Sequence, residues 1–452
     1  MPEQADVIVV GLGVGGEDVA GRLAAAGLDV LGIEARLVGG ECPYWACVPT
    51  KMMVRAAGSL AEAHRVDRLA GHAVVTPDWA PVAARIREEA TDDWDDKVAV
   101  ERFRSKGGRF VRGAARITGP RTVEVDGSRW SAEHGLVLAT GTRPAVPPID
   151  GLADCPYWTN REAVEATAVP STLTVIGGGA VGCELAQIFS RFGARVTLIE
   201  TAEQLLAQEE PEAGRLVAEV FEREGVTVVT GARVTRVDHD AGEFRVQLDG
   251  GRSLESEQLL VATGRAADLD TLGVDAAGLD PTAHFVSVDE HLRAADGVWA
   301  VGDLTGKGAF THVAMYQSAI AADDILGRPH HPADYRALPR VTFTDPEVGA
   351  VGLTEAAART LGMTVKCATT DLASSARGWI HKAGNDGFIK LVADTRHGVL
   401  VGATSAGPAG GEVLGALAVA VHAGVPIEAL RQMMFAYPTF SRAIESALES
   451  LG

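Results

Sequence analysis

The chain opens with an uninterrupted apolar run, Val7-Ile8-Val9-Val10, rather than an alternating one. A run of that kind predicts a strand buried on both faces, as in a parallel sheet covered by helices. Gly11-Leu12-Gly13-Val14-Gly15-Gly16 follows, then a helix-prone stretch to Ala26 and a second apolar strand, Leu28–Ile33, which ends at Glu34. The same order returns later. Leu173-Thr174-Val175-Ile176 leads into Gly177-Gly178-Gly179-Ala180-Val181-Gly182, a helix and a strand Val196–Ile199 that ends at Glu200. The first glycine and the acid are 23 positions apart in both units.

Between the two units the pattern predicts helices over Arg55–His64 and Trp79–Arg104, then short strands separated by turns at Gly119-Pro120 and Asp126-Gly127. Ala139-Thr140-Gly141-Thr142-Arg143-Pro144 and Val261-Ala262-Thr263-Gly264-Arg265 each end an apolar run, as strand ends do at a crossover. Val298–Val301 predicts a further strand leading to Asp303. From about Leu338 strand-like runs (Arg340–Phe343, Gly387–Val392, Val399–Ala403) alternate with Ala/Leu-rich helices, which reads as a separate α+β domain. The apolar stretch Val413–Val425 is too short to span a membrane and contains His422, so a packed helix is expected there.

Each glycine unit has a physical purpose. The first glycine permits a tight turn, the second lets the backbone approach a pyrophosphate, and the third lets the helix pack close to its strand. The helix N-terminus offers its N–H groups to phosphate, and the acid at the second strand end accepts from a ribose hydroxyl. One such loop is weak evidence. Two at equal spacing imply two dinucleotides on one chain.

Composition narrows the class without identifying it. The 452 residues are 46% hydrophobic and 22% charged, with a net charge of −19, which disfavours nucleic acid and anionic membranes as partners. No basic-then-apolar leader precedes the first strand, and five cysteines are too few for a secreted disulfide scaffold, so a cytoplasmic protein is expected. Two of those cysteines stand out, in Gly39-Gly40-Glu41-Cys42-Pro43-Tyr44-Trp45-Ala46-Cys47-Val48-Pro49-Thr50-Lys51. Taken alone, the pair reads as a redox dithiol, as two unrelated thiols or as half a zinc site. No second pair supports zinc. Cys155, Cys183 and Cys367 have no partner at motif spacing, and the histidines form no ligand pattern, so no metal site is expected.

In motif order over nearly its whole length, the chain resembles the FAD-dependent pyridine nucleotide-disulfide oxidoreductases, which include lipoamide dehydrogenase, glutathione reductase and mercuric reductase. The resemblance implies an α/β fold: two Rossmann-like domains, for FAD (1–149 and 267–335) and for NAD(P) (150–266), and a C-terminal α+β dimerisation domain (338–452). It implies FAD on Gly11, Gly13, Gly16 and Glu34, with Gly141, Asp303 and the turn Ala309, Phe310, Thr311, His312 near its ring. The nicotinamide cofactor is implied on Gly177, Gly179, Gly182, Glu200 and Gly264. Cys47 becomes the thiol against the flavin and Cys42 the thiol that exchanges with substrate. Lys51 pairs with Glu184 near the flavin edge. A homodimer with shared active sites and a small-molecule disulfide acceptor follow. Glu200, with no arginine directly after it, points to NADH over NADPH.

Two departures from the family bear on the acceptor. Most members carry His-Pro-Thr and a glutamate near the C-terminus. This chain has Tyr437-Pro438-Thr439-Phe440-Ser441-Arg442. Exchanging imidazole for phenol moves the ordinary pKa from about 6.5 to about 10, roughly 5 kcal/mol in proton affinity. Tyr437 is therefore expected to donate a proton and to be a poor base. Mercuric reductases also place tyrosine there but usually add a C-terminal cysteine pair, which Glu449-Ser450-Leu451-Gly452 lacks, so metal-ion reduction ranks second. The second departure is Trp45-Ala46 in place of Asn-Gly. Similar wording occurs in a carboxylating relative that cleaves a thioether, but that relative does not keep Lys51. Tyr44 and Trp45 either line a flat pocket or simply pack. A flavin-only quinone reductase and a docking subunit of a larger assembly remain as rivals.

Overall fold

The computed structural model describes residues 2–452. Its contacts group the chain into two compact units. The first comprises residues 1–50, 84–145 and 264–334. In it, strands Val298–Ala300, Ser128–Leu138, Glu3–Val10, Val30–Glu34 and Arg109–Arg112 run parallel in that order. Arg293–Ala295 adds an antiparallel edge, and the hairpin strands Arg116–Gly119 and Thr122–Val125 continue from Ser128–Leu138. The unbroken apolar run of the first strand serves two faces. Val7 and Val9 pack beside Leu12, Val19, Leu23 and Phe103, whereas Ile8 and Val10 pack beside Leu31, Ile117, Leu136 and Leu138. Each face is dry, which is why no polar residue alternates along the strand.

The second unit comprises residues 51–83, 146–263 and 335–452. It holds a four-stranded parallel sheet in the order Thr227–Val229, Arg195–Ile199, Thr172–Ile176, Gln258–Val261, and a three-stranded meander over Val234–Ser256. A five-stranded antiparallel sheet follows, ordered Pro339–Thr342, Glu347–Gly352, Val399–Gly407, Phe388–Asp394, Val365–Asp371. Helices Gly410–His422 and Ala443–Ser450 close a core around Ile389, Leu391, Leu400, Leu414 and Leu417. The stretch Val413–Val425 thus falls mainly within a packed helix. Among the described residues no helix is long and apolar enough to cross a membrane.

The long helix expected over Trp79–Arg104 is broken into Ala80–Arg85, a π-turn Ile86–Ala90 and Lys97–Ser105. The break lies in Thr91-Asp92-Asp93-Trp94-Asp95-Asp96. The Thr91 hydroxyl donates to the carbonyls of Ile86 and Arg87 at 3.1 and 3.2 Å, and the Asp95 carboxylate accepts the Lys97 N–H at 2.8 Å. These side chains take over backbone groups the helix would have used, and Asp92, Asp93 and Trp94 turn left-handed with φ of 49°, 55° and 57°. Asp96 is put to another use, accepting the Val38 N–H at 2.7 Å and holding Arg112.

Candidate active site

The two glycine units fold alike. Gly11 and Gly177 have φ of 89° and 111°, and a Cβ on either would run into the backbone of Ala139 or of Ala262. A Cβ on Gly16 would strike the Gly11 carbonyl, and one on Gly182 the Gly177 carbonyl. Gly13 and Gly179 are the N-caps of helices Val14–Ala25 and Ala180–Arg191, and neither helix start carries a side-chain cap. Glu34 accepts the Leu12 and Arg36 N–H groups at 2.7 and 2.8 Å, and Glu200 those of Gly178 and Ala202 at 2.6 and 2.7 Å. Uncapped helix starts beside an open glycine and a fixed acid fit a pyrophosphate and a ribose, so both units pass as dinucleotide cradles. Gly141 and Gly264 have φ of 65° and 120°, in turns that favour glycine.

The cysteine segment is tied to the first cradle. The Gly39 N–H donates to the Leu12 carbonyl at 2.7 Å, and Gly39 bridges Gly13. A side chain on Gly40 would collide with Gly13, so only glycine lets the two backbones touch. From there a short helix, Glu41–Tyr44, carries half-buried Cys42. Cys47, the exposed one, is the first residue of the 19-residue helix Cys47–Arg65, where backbone N–H groups and the helix dipole favour a thiolate. Its Sγ lies 3.3 Å from Thr311 Oγ1, on the first residue of helix Thr311–Ile325. Ala309 is in the loop just before that helix, and His312 stacks on Phe310 with ring centroids 5.2 Å apart. Tyr44 is buried, and burial pushes its phenol up. It packs rather than lining a pocket.

Arg265 and Thr142, present in the two Gly-turn motifs but not singled out by them, organise Asp303. Thr142 Oγ1 donates to Asp303 Oδ2 at 2.8 Å. Arg265 donates to Thr142 Oγ1 at 2.6 Å and to its carbonyl at 2.7 Å, and stands 3.5 Å from Asp303 and 3.9 Å from Glu41. The signal for them was the shared Ala-Thr-Gly wording, which pairs Arg265 with Pro144 across a two-residue ladder. In the second unit Lys51 Nζ stands 2.7 Å from Glu184 Oε2 and 4.6 Å over the Phe343 ring. Glu184 is buried, and its other oxygen accepts the Phe343 N–H at 2.9 Å. The pair is anchored, unlike a solvated surface pair.

Tyr437 is 69% exposed in the single chain, with the Arg442 guanidinium 5.5 Å from its ring and Arg442 paired to Glu445 at 2.7 Å. The remaining cysteines are poor nucleophiles. Burial pushes Cys183 far above an ordinary thiol, and burial beside Glu355 pushes Cys367 up to about 11. Burial and nearby acids raise Cys155 as well.

Comparison with known proteins gives this geometry a context. The profile described as pyridine nucleotide-disulphide oxidoreductase matches residues 5–318, and the dimerisation domain of the same family matches 338–448. A mercuric reductase of Bacillus cereus is 32% identical over 98% of this chain and 71% of its own length. A dihydrolipoyl dehydrogenase of Halobacterium salinarum is 32% identical over 99% of this chain and 96% of its own. Among solved structures, the Cu(II) complex of the HOCl-induced flavoprotein disulfide reductase RclA from Escherichia coli superposes with a TM-score of 0.87 at 25% identity, covering 99% of both chains. LpdA from Mycobacterium tuberculosis superposes at 0.86 with 24% identity over the full length of both, a likeness of fold. With both family profiles matched along its length, the chain belongs to the pyridine nucleotide-disulphide oxidoreductases, FAD-dependent enzymes that bind a pyridine nucleotide and form homodimers through their C-terminal domain.

Proposed function

We propose that this enzyme takes reducing equivalents from NADH and delivers them through Cys42 and Cys47 to a disulfide or a similar thiol-reactive acceptor. The observation that carries the proposal is the placing of Cys47 at a helix start, with Thr311 on its sulfur, in a segment pinned to the first glycine loop. FAD held on Gly11, Gly13, Gly16 and Glu34 supplies two-electron exchange between a nicotinamide and a dithiol. The thiolate of Cys42 attacks one sulfur of the acceptor disulfide and forms a mixed disulfide, while the other sulfur leaves and takes a proton. Cys47 then attacks Cys42 Sγ, freeing the second acceptor thiol and closing a Cys42–Cys47 disulfide. The dithiol thus gives up two electrons and the acceptor gains them. Lys51 and Glu184 hold a fixed charge pair at the nicotinamide side. The domain division given above, a shared active site in the dimer and a cytoplasmic setting belong to the same proposal.

Tyr437, from the partner subunit, is the proton donor to the leaving thiolate. Tyr437→Phe keeps the ring and removes only the hydroxyl. Disulfide turnover is expected to fall on the order of 100-fold, with NADH-to-quinone turnover unchanged, as steady-state assays of both reactions read. Equal loss in both assays would assign Tyr437 a structural part.

NADH is proposed over NADPH because Glu200 is fixed. Both carboxylate oxygens are held by backbone N–H groups, and a carboxylate fixed at that strand end suits a free ribose hydroxyl and repels a 2′-phosphate. Glu200→Ala removes a charged hydrogen bond worth about 1.5–3 kcal/mol. The ratio of kcat/KM for NADH over NADPH is expected to fall by about tenfold or more. A wild-type enzyme that prefers NADPH would refute the assignment.

A second reading, reduction of a soft metal ion, draws on the 32% identity to a mercuric reductase and on the structural neighbour solved as a Cu(II) complex. Side-by-side kcat/KM values for a disulfide and for Hg(II) or Cu(II) separate the two readings.

A further inference from the structure

We propose that His291, His330 and Asp324, in the first unit and outside the site described above, form a binding site for a late first-row divalent ion such as Ni2+, Zn2+ or Cu2+. One ligand atom from each of the three lies within 4.8 Å of the other two. Asp324 belongs to the last turn of helix Thr311–Ile325, His330 follows that helix, and His291 sits on the turn before strand Arg293–Ala295. The two imidazoles meet edge to face with centroids 5.1 Å apart.

Two independent features point to a cation. The first is His330. Its Nδ1 lies 3.1 Å from the His331 carbonyl and its Nε2 3.3 Å from Asp324 Oδ1, and both partners are acceptors. A neutral imidazole has one N–H and therefore satisfies only one of them. The other nitrogen then turns its lone pair toward an acceptor, the His331 carbonyl or the Asp324 carboxylate, unless a proton or a metal ion stands between. The second is His291. Its Nδ1 is buried and has no hydrogen-bond partner among the described residues, although the ring is on the surface. A lone pair kept from water and left without a donor costs free energy that an ion would return.

The carboxylate is held in place for such a role. Arg293 donates to both oxygens of Asp324 at 2.7 Å, and Trp299 Nε1 donates to Oδ2 at 2.8 Å. Oriented ligands backed by donors of this kind are typical of metal sites. Arg293 also cancels the carboxylate charge, so affinity rests on the imidazoles. That favours late transition ions over Mg2+ or Ca2+, which want charged oxygen. Ligand atoms on tetrahedral zinc sit about 3.3–3.6 Å apart, given bonds of about 2.0–2.2 Å, so the three side chains need only a small closure around the ion.

The test uses the full-length, FAD-loaded dimer without an affinity tag, carrying Cys42→Ser and Cys47→Ser so that no active-site thiolate competes. Ni2+ is titrated by calorimetry. One ion per subunit is expected. In that background His291→Ala and His330→Ala should each weaken binding about tenfold or more, and His331→Ala, which leaves the carbonyl in place, should not. One equivalent of Cu2+ should give an electron paramagnetic resonance spectrum split by imidazole nitrogen, a reading that needs no histidine variant to fold. Absence of stoichiometric binding, binding indifferent to His291 and His330, or a copper spectrum without imidazole nitrogen would each overturn the site.

Discussion

Replacing Cys47 by serine is expected to lower NADH-dependent disulfide reduction by on the order of 1,000-fold or more, while reduction of a quinone or dye by the same variant continues. Serine fits the space but stores no electrons. Cys47 begins a helix, lies against Thr311 and belongs to a segment anchored on the first cradle, so no other thiol replaces it. The alternatives in the sequence are unsuitable. Cys183 is fully buried with its thiol pushed far up, and Cys367 is pushed to about 11. Cys42→Ser should be as damaging, and the double variant no worse than either single one, because the two sulfurs act as one unit. Assays with a disulfide and a quinone, run on all three variants, check this. Undiminished disulfide turnover in either single variant would favour a flavin-only reductase.

The second large effect concerns stability. Lys390→Ala is expected to destabilise the second unit by about 3–5 kcal/mol. Lys390 lies mid-strand in Phe388–Asp394, every residue of which is buried, and its ammonium meets Glu210 and Glu212 at 2.9 Å and Glu355 at 3.2 Å. Burial alone would depress the lysine, but the bonds and charges of Glu210 and Glu212 outweigh it, and its pKa is raised. Lys390 is therefore fully charged below the ordinary lysine range, and its contribution is lost only in strong alkali. Its acid limit comes from the carboxylates. Burial works against Glu212, yet Lys390 holds it below its usual value, so its share is present above the ordinary glutamate range and is lost as pH falls through the lowered value. Without the lysine, buried Glu210 loses its ion-pair partner. Denaturant unfolding of Lys390→Ala should begin earlier, and Lys390→Arg should recover part of the loss. A Lys390→Ala profile equal to wild type would show that the cluster is neutral in balance.

The parts of this architecture that follow from backbone sterics were legible in the sequence. Gly11, Gly16, Gly177 and Gly182 touch backbone that excludes a Cβ, so their spacing carried the fold. Strands buried on both faces announced themselves as apolar runs. What escaped was set by distant side chains. The break after Ala90 needed Thr91 and a run of aspartates to divert backbone bonds, and helical periodicity does not register that. Arg265 gains its place by pairing with a turn far away in sequence. His291 and His330 belong to no ligand spacing, because a helix end brings them together with Asp324. Lys51 and Glu184 do pair, as the resemblance implied, but their spacing of 133 positions carries no such signal without it. Tyr437 could be read as a departure from the family pattern, but in the single chain it is exposed, with Arg442 near its ring.

The most direct test of the dithiol relay is an anaerobic titration of the purified flavoprotein with NADH, following the visible spectrum and the thiols accessible to a disulfide reagent. The account predicts a long-wavelength band from a thiolate against the flavin before the main flavin absorbance falls, together with two new thiols per subunit, and both should vanish in Cys47→Ser. Immediate bleaching with no such band and no new thiols would contradict it and leave a flavin-only reductase in its place.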